Sequence, residues 1–448
     1  MATDAELRAA IDALTKQVSS TPYTSFDTNA PTHRPEVPHA DRVIGEARRA
    51  AAVASSSRSP AASSGREFSS VAASGGTPRG VTAGCAGGPR GLVVATMSIF
   101  ATIEEAVVNR LFPILPTWFI RLCLRWYLVY IGWQTRRGDV VVQQIEVDRR
   151  QRKARPVTAE VEKANEQLYA NDPAFFVAHL GPRLKYSACE WAAGVTSLAE
   201  AETRTVRSYQ ARAGLATLPE GARVLELGCG WGSLSLENAE RYPALQFVAF
   251  SNSPEQIGFV RARAAERGLT NLTAHVEDYA DFADPSKSAV APAGSAPFDA
   301  AVAIETVEHA QNIEALLAAV AARLKPGATF FVHSLLHQSA SYLMDASTWM
   351  GRNFFSGGSM LALNSYHHLA PPSLHIADVV PVNGVGYSKT LLAWNDMLEA
   401  QKGAFVAKYG ATFYNGFRAF YVVCAEAFAA NNGNEFMCAY YTFVKVGA

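Results

Sequence analysis

The sequence predicts an α/β fold, a doubly wound parallel sheet of Rossmann-like type preceded by helices, and three observations predict it. Short β-branched or apolar runs, "ARVLEL", "LQFVAF", "LTAHVE", "FDAAVAI" and "TFFVHSL", alternate with helical stretches such as "PEQIGFVRARAAERG" and "NIEALLAAVAARLKPG", which is the rhythm of βαβ units. Gly268 and Gly327 follow the last helical turns, at the C-cap position. Directly behind the first apolar run, "LELGCGWGS" sets glycine at every second position.

Composition bounds the function class. A chain of 448 residues with 49% hydrophobic content can bury a large core. Its 40 basic and 40 acidic residues cancel, and no stretch joins dense Lys/Arg to a nucleic-acid motif, so nucleic acid is not an expected partner. The six cysteines, Cys85, Cys123, Cys189, Cys229, Cys424 and Cys438, lack CxxC spacing, which argues against a zinc site and a disulfide framework. A reducing, cytoplasmic compartment is the default.

Taken in order, the chain opens with "MATDAELRAAIDALTKQ", which has no secretory pattern. Residues 1–96 are expected to be a disordered or targeting region, because 50–96 are rich in Ala, Ser, Gly and Arg with Glu67 as the sole acid. That composition resembles an organellar transit peptide, although the acidic opening fits one poorly. An amphipathic helical segment is expected in 97–150. Within it "LFPILPTWFIRLCLRWYLVYIGW" (111–133) is the most apolar stretch, but Pro113, Pro116, Arg121 and Arg125 interrupt it and its charge-free runs are too short to span a bilayer. Arg121 and Arg125 stand four apart among aromatic residues, as suits a peripheral helix at a membrane interface, and equally a helix packed on the main domain. Residues 134–220 read as mainly helical, with a lid before the core, and 151–448 as the catalytic domain. Between the third and fourth strands, "DFADPSKSAVAPAGSAP" (281–297) reads as a solvated insertion. After the fifth strand a helical, aromatic-rich insertion leads to a terminal strand, "CAYYTFVKV".

The first strand ends at Leu227, and Gly228, Gly230 and Gly232 lead into the first helix. Glycine there permits a sharp turn and lets a ligand reach backbone N–H groups at a helix N-terminus, so a nucleoside ligand is expected. A nicotinamide dinucleotide fits poorly, because the spacing is GxGxG and "FSNSPEQ" after the second strand has no acid before Glu255.

"VLELGCGWG" resembles the first motif of the class I methyltransferases that use S-adenosylmethionine (AdoMet). "LKYSACEW", "SNSPEQ", "IETVEH", "FFVHSLLH", "NFFSGGSM", "GYSKTLLAW" and "NNGNEFMCAY" then follow in the order found in coclaurine N-methyltransferase-like proteins, relatives of the cyclopropane fatty acid synthases. The resemblance covers roughly residues 115–446. It implies a seven-stranded class I methyltransferase sheet with an N-terminal helical lid. It also implies AdoMet held by Tyr186 and Ser187 at its methionine part, by Glu226, Gly228, Gly230 and Gly232 along the glycine loop, by Asn252 and Gln256 at the ribose, and by Asp278 beside the adenine.

"IETVEH" follows the fourth strand at the carboxyl edge, where open α/β sheets bind ligands. If a helix begins there, Glu305, Glu308 and His309 stand at i, i+3 and i+4 and share one face. The sulfonium donor is already electrophilic, so the protein must align a nucleophile and manage one proton. An amine is mostly protonated at neutral pH, and a carboxylate or imidazole can take its proton, an acid pair having one pKa raised by repulsion. His333 and His337 project toward the same edge, and Tyr387 with the aromatics of "NFFSGGSMLALNSYHH" could wall the acceptor pocket and face a cationic amine. By the resemblance, the catalytic set is Glu305, Glu308, His309, His333 and Tyr387, without a metal.

The family divides over its acceptor. The cyclopropane synthases usually read "YSCAYW" where this chain has "YSACEW", and the first Cys of that motif, associated with the bicarbonate base of lipid methylenation, falls on Ala188. They also generally lack an acid matching Glu305, whereas the N-methyltransferase branch carries one. Thr306 and Val307 depart from that branch, as do Ala188 and Glu190. The expected activity is therefore N-methylation of a small amine. The alternatives are methylation or methylenation of unsaturated acyl chains of phospholipids, and a non-catalytic AdoMet-binding protein at a membrane surface.

Overall fold

The computed structural model describes residue 108 and residues 112–135, 155–158, 172–344, 349–355 and 357–447. The low-complexity 1–96 region, and with it the disorder and targeting expectations, lies outside the described residues, as does most of the charged stretch around 136–171. Helices α1 (Thr117–Thr135), α2 (Pro173–His179) and α3 (Leu198–Arg212) precede the sheet. The alternating part follows as β1 (Arg223–Leu227), α4 (Ser233–Arg241), β2 (Gln246–Ser251), α5 (Pro254–Glu266), β3 (Leu272–Val276), α6 (Tyr279–Ala283), β4 (Phe298–Ile304), α7 (Ile313–Ala322) and β5 (Leu324–His337). Then come β6 (Tyr342–Leu343), α8 (Trp349–Asn353), β7 (Ser359–Ala362), α9 (Tyr366–Leu369), β8 (Leu374–Val382), α10 (Val385–Ala400), α11 (Lys402–Tyr409), α12 (Ala411–Gly433) and β9 (Phe436–Lys445).

The first five strands run parallel in the order β3-β2-β1-β4-β5, and β9 continues the sheet antiparallel to β5 with β8 antiparallel beyond it. These seven strands are the expected class I arrangement. Two short additions from the insertion extend it: β7 pairs with Leu336 and His337 of β5, beyond the last residues that pair with β4, and β6 pairs with β7. The strand β8 has no counterpart in the sequence reading; its mixed exposure leaves a weak apolar pattern, and pairing with β9 is what orders it. The parallel strands are short and buried, with β1 covered at every position from Val224 on. Local signals start the helices: Asp172 before Pro173, the Ser197–Glu200 capping box, Ser253 before Pro254, and Asn312.

Two expectations are corrected here, and a third, which allowed two readings, meets one of them. Gly268 does follow the last turn of α5, but α7 ends at Ala322 and Gly327 sits inside β5, where a register shift against β4 uses its left-handed conformation (φ 81°). The insertion at 281–297 is not simply solvated, because it begins inside α6, and Glu277 accepts hydrogen bonds from the Ser288 hydroxyl and from the Ala289 and Val290 amides, burying Val290 and Ala291 against the core. Finally, α1 turns its arginines inward. Arg121 and Arg125 both pair with Glu426 of α12, whose side chain is fully buried, and Arg418 of α12 reaches the Phe112 carbonyl (2.6 Å) and the Thr117 hydroxyl (2.7 Å). The helix is thus docked on the domain, with Trp118, Trp126, Tyr127 and Val129 exposed on its outer side. Among the described residues no helix is long and apolar enough to cross a membrane.

Removing Glu426 leaves two partly hydrated arginines and a gap beneath α1. Glu426→Ala is expected to cost about 1–3 kcal/mol and to accelerate amide hydrogen exchange across 117–135 while strands β1–β5 stay protected, which exchange mass spectrometry would read.

Candidate active site

At the carboxyl ends of β1, β2 and β4 lies an open cavity lined by the glycine loop and by the polar residues at these strand ends, where open α/β sheets bind ligands. Eight of the nine residues expected to bind the nucleoside line it: Tyr186, Ser187, Glu226, Gly228, Gly230, Asn252, Gln256 and Asp278. Each glycine of the loop has a left-handed backbone, but the reasons differ. A Cβ on Gly228 would come within 2.0 Å of Thr306 Oγ1, and one on Gly232 within 2.8 Å of Val260. Those two make room for the protein itself, and Gly232, which does not line the cavity, serves helix packing. A Cβ on Gly230 would meet nothing within 4 Å, so its bare backbone is open for a ligand.

The acids around the cavity have distinct settings. Glu226 at the end of β1 is buried with the Ser235 hydroxyl as donor (2.6 Å), and burial pushes its carboxyl up to about 7. Asp278 caps α6 through the Ala280 amide and accepts the Thr158 hydroxyl. Gln256 is oriented by Ser251 (2.7 Å). Trp231 lines the cavity with its indole nitrogen buried and unpaired, and its ring packs on Phe176 of α2 at 5.0 Å, which brings the lid helix over the glycine loop.

The reactive edge differs from its expected geometry. Glu305, Glu308 and His309 do not share a helical face: Glu305 has a left-handed backbone (φ 48°), and a single 3₁₀ turn spans Val307–His309. For a residue with a Cβ this conformation costs about 1–2 kcal/mol. It persists because the Glu305 amide donates to the His333 carbonyl (2.7 Å) and its Oε1 accepts the Ala188 amide (2.8 Å). The kink turns the Glu305 side chain, 5% exposed, onto the cavity beside His309. Glu308 does not line the cavity. Its Oε1 accepts the Ser334 hydroxyl and the Leu335 amide (2.6 Å), so it ties the turn to β5. Burial pushes Glu305 up to about 8, against the opposing pull of Lys185 and the Ala188 amide, and pushes Glu308 up to about 7.

The remaining residues of the expected catalytic set stand behind this edge. His333 is buried, with Nδ1 2.6 Å from the Tyr209 hydroxyl and 3.5 Å from Glu305 Oε1, and burial keeps it neutral. Tyr387 hydrogen-bonds to Glu305 without lining the cavity. His309 stacks on Phe355 at 5.2 Å, while the rest of the aromatic stretch at 353–368 stays away from the cavity wall. His337 faces a different job: Nδ1 accepts the Ser339 and Ala340 amides and Nε2 meets Glu435 (3.2 Å), closing the turn after β5. Sequence reasoning missed Lys185 and Tyr209. Lys185 lay inside a motif whose neighbours drew the attention, and nothing local marks Tyr209. The departures find local reasons, since Thr306 fills the space left by Gly228 and bonds the Tyr279 hydroxyl, and Glu190 accepts the Tyr440 hydroxyl (2.7 Å).

A class I sheet with this glycine-lined cavity at its carboxyl edge defines the class: the protein is an AdoMet-dependent methyltransferase. Residues 157–437 match the family model described as mycolic acid cyclopropane synthetase, and the chain belongs to that family. It is 27% identical over 303 residues to (S)-coclaurine N-methyltransferase of Thalictrum flavum subsp. glaucum, covering 64% of this chain and 80% of that one. It is 26% identical over 261 residues to cyclopropane-fatty-acyl-phospholipid synthase of Escherichia coli K12, covering 57% and 62%. In fold it is similar to a coclaurine N-methyltransferase crystallised with N-methylheliamine and SAH, with a TM-score of 0.66 and 22% identity over 79% of this chain and all of that one.

Two outcomes are expected. Gly230→Ala should lower the melting temperature modestly, since its left-handed backbone costs a Cβ-bearing residue about 1–2 kcal/mol, and weaken AdoMet binding about tenfold or more in calorimetry, whereas Gly228→Ala should lower the melting temperature further by also driving Thr306 out of place. Glu226, raised from an unfolded value of 4.5 to about 7, contributes stability that is full below about pH 4.5 and lost as pH rises through 7. Glu226→Gln should therefore match the ligand-free parent in melting temperature at pH 5 and exceed it at pH 8.

Proposed function

We propose that the protein transfers a methyl group from AdoMet to the nitrogen of a small amine. The observation that carries this reading is the Glu305 carboxylate, held on the cavity wall by the Ala188 amide and pushed up to about 8, where it exchanges protons under physiological conditions. In the resemblance to the cyclopropane synthases, position 188 is the Cys associated with a bicarbonate base. Here that position's amide binds a carboxylate from the chain itself. The relatives named as amine methyltransferases, (S)-coclaurine and (S)-tetrahydroprotoberberine N-methyltransferases, point the same way.

Tyr186, Ser187 and Glu226 would meet the amino-acid part of AdoMet, Gly230 would offer backbone N–H, and Asn252, Gln256 and Asp278 would take the ribose and adenine. The fit is chemically sound, since acids stand at both ends of a cavity whose middle is bare backbone. When bound, AdoMet supplies a methyl carbon already activated on a sulfonium. Glu305 takes the proton of the acceptor's ammonium form, freeing the nitrogen lone pair. His309, held neutral by burial, offers a second hydrogen-bonding group beside it. Glu308 keeps the turn in register, His333 and Tyr387 fix the Glu305 carboxylate from behind, and the aromatic lid excludes water.

A second reading, transfer to an acyl chain of phospholipid, is favoured by the exposed aromatic side of α1. Incubation with methyl-labelled AdoMet, amine pools in one tube and phospholipid vesicles in another, separates the two. Label in an amine product is expected, and label confined to lipid would overturn the proposal. Glu305→Gln is expected to lower turnover about 10²-fold or more with AdoMet affinity retained, and Glu308→Gln, outside the cavity, by about tenfold. In the parent, kcat/KM should climb with pH through about 8, since the carboxylate form is the active one.

A further inference from the structure

Lys185 is a lysine buried beside the site. Its side chain is fully buried, and its Nζ donates to Ser187 Oγ (2.6 Å) and to the Ala188 carbonyl, with the Tyr209 ring 5.2 Å away. An ammonium taken out of water is costly unless its charge is used. The groups around it come from several elements: Glu202 and Tyr209 from α3, Cys189 from its own loop, Glu305 from the turn after β4, His333 from β5 and Cys438 from β9. The ligating atoms of Glu305, His333 and Cys438 lie within 4.8 Å of one another, a cluster of the kind that holds a cation elsewhere. Here the lysine is the cation acting on it.

We propose that Lys185 is a positioning residue for methyl transfer, its ammonium holding the 185–188 loop on Glu305 and fixing the direction of the Ser187 hydroxyl. An ammonium can only donate, so Ser187 Oγ accepts from it and its own hydrogen is free to donate. Ser187 lines the cavity, and the group it can serve there is an acceptor such as the carboxylate of AdoMet. On the other side of the loop, the Ala188 carbonyl accepts from Lys185 while the Ala188 amide donates to Glu305. One buried side chain thereby sets both the ligand contact and the base.

This rests on the reading of Glu305 as the proton acceptor, and the experiment separates the two. Lys185→Met keeps the side chain's bulk and removes the charge. Glu305 then ionises at higher pH, so the acid limb of kcat/KM should move up by about one unit or more, with activity about tenfold lower at pH 7 and largely regained at pH 9. AdoMet binding, read by calorimetry without turnover, should weaken, and Ser187→Ala should weaken it without moving the acid limb. If Glu305→Gln leaves the acid limb in place, the base assignment fails. If Glu305→Gln abolishes it but Lys185→Met lowers activity evenly at all pH, the lysine is structural and this inference fails alone. Should Lys185→Met fold poorly, the thermal stability of Lys185→Met/Glu305→Gln decides: restored stability shows the two charges act as a pair, and additive losses, or an insoluble double variant beside a soluble Glu305→Gln, overturn the inference.

Discussion

The hydrogen bond from the Ala188 amide to the Glu305 carboxylate spans 117 residues of sequence and joins the loop before the sheet to the end of its fourth strand. Much else in the site exists to make that contact tolerable. A carboxyl taken out of water favours its protonated form, and Glu305 is pushed up to about 8 by that burial. It is countered by the buried Lys185, by the Ala188 amide and by Tyr387. The left-handed backbone at Glu305 aims the side chain, and the backbone bond to His333 anchors that conformation. Loop, kink and lysine are therefore joined by consecutive contacts, Lys185 to the Ala188 carbonyl and the Ala188 amide to Glu305.

The sheet explains why this unit meets a ligand. Parallel strands in the order β3-β2-β1-β4-β5 bring the ends of β1, β2 and β4 side by side, and each hands one polar loop to a common cavity. Glu226 stands at the end of β1 and Gly230 follows it, Asn252 and Gln256 follow β2, and Glu305 with His309 follow β4. Family membership and AdoMet-dependent methyl transfer agree with this edge. The Ala188 amide then gives the edge an internal acid, Glu305.

Much of this was legible in the residues. The β1–β5 alternation is a local periodicity, and the motif "LELGCGWGS" announces a backbone that must stay bare. Even there the reasons were mixed, because Gly228 and Gly230 line the cavity but Gly228 and Gly232 are bare to make room for Thr306 and Val260. The spacing of "IETVEH" suggested a helical face, but the bonds of Glu305 to β5 and to the Ala188 loop outweigh that local preference. Arg121 and Arg125 suited a lipid surface and a packed helix equally, and Glu426, about 300 residues further on, proved to be their partner. Strand β8 needed β9 beside it, and Lys185 was indistinguishable from a solvated lysine.

By itself the sequence determined the α/β class, the strand and helix succession, the nucleoside edge and the acids from which a base would come. Those depend on period, capping residues and glycine spacing, which act over a few residues and survive in one dimension. The tertiary structure alone decided which acid meets the cavity, which holds the turn, and where the positive charge lies. Burial and electrostatic pairing depend on what arrives from distant parts of the chain, and no local pattern records it.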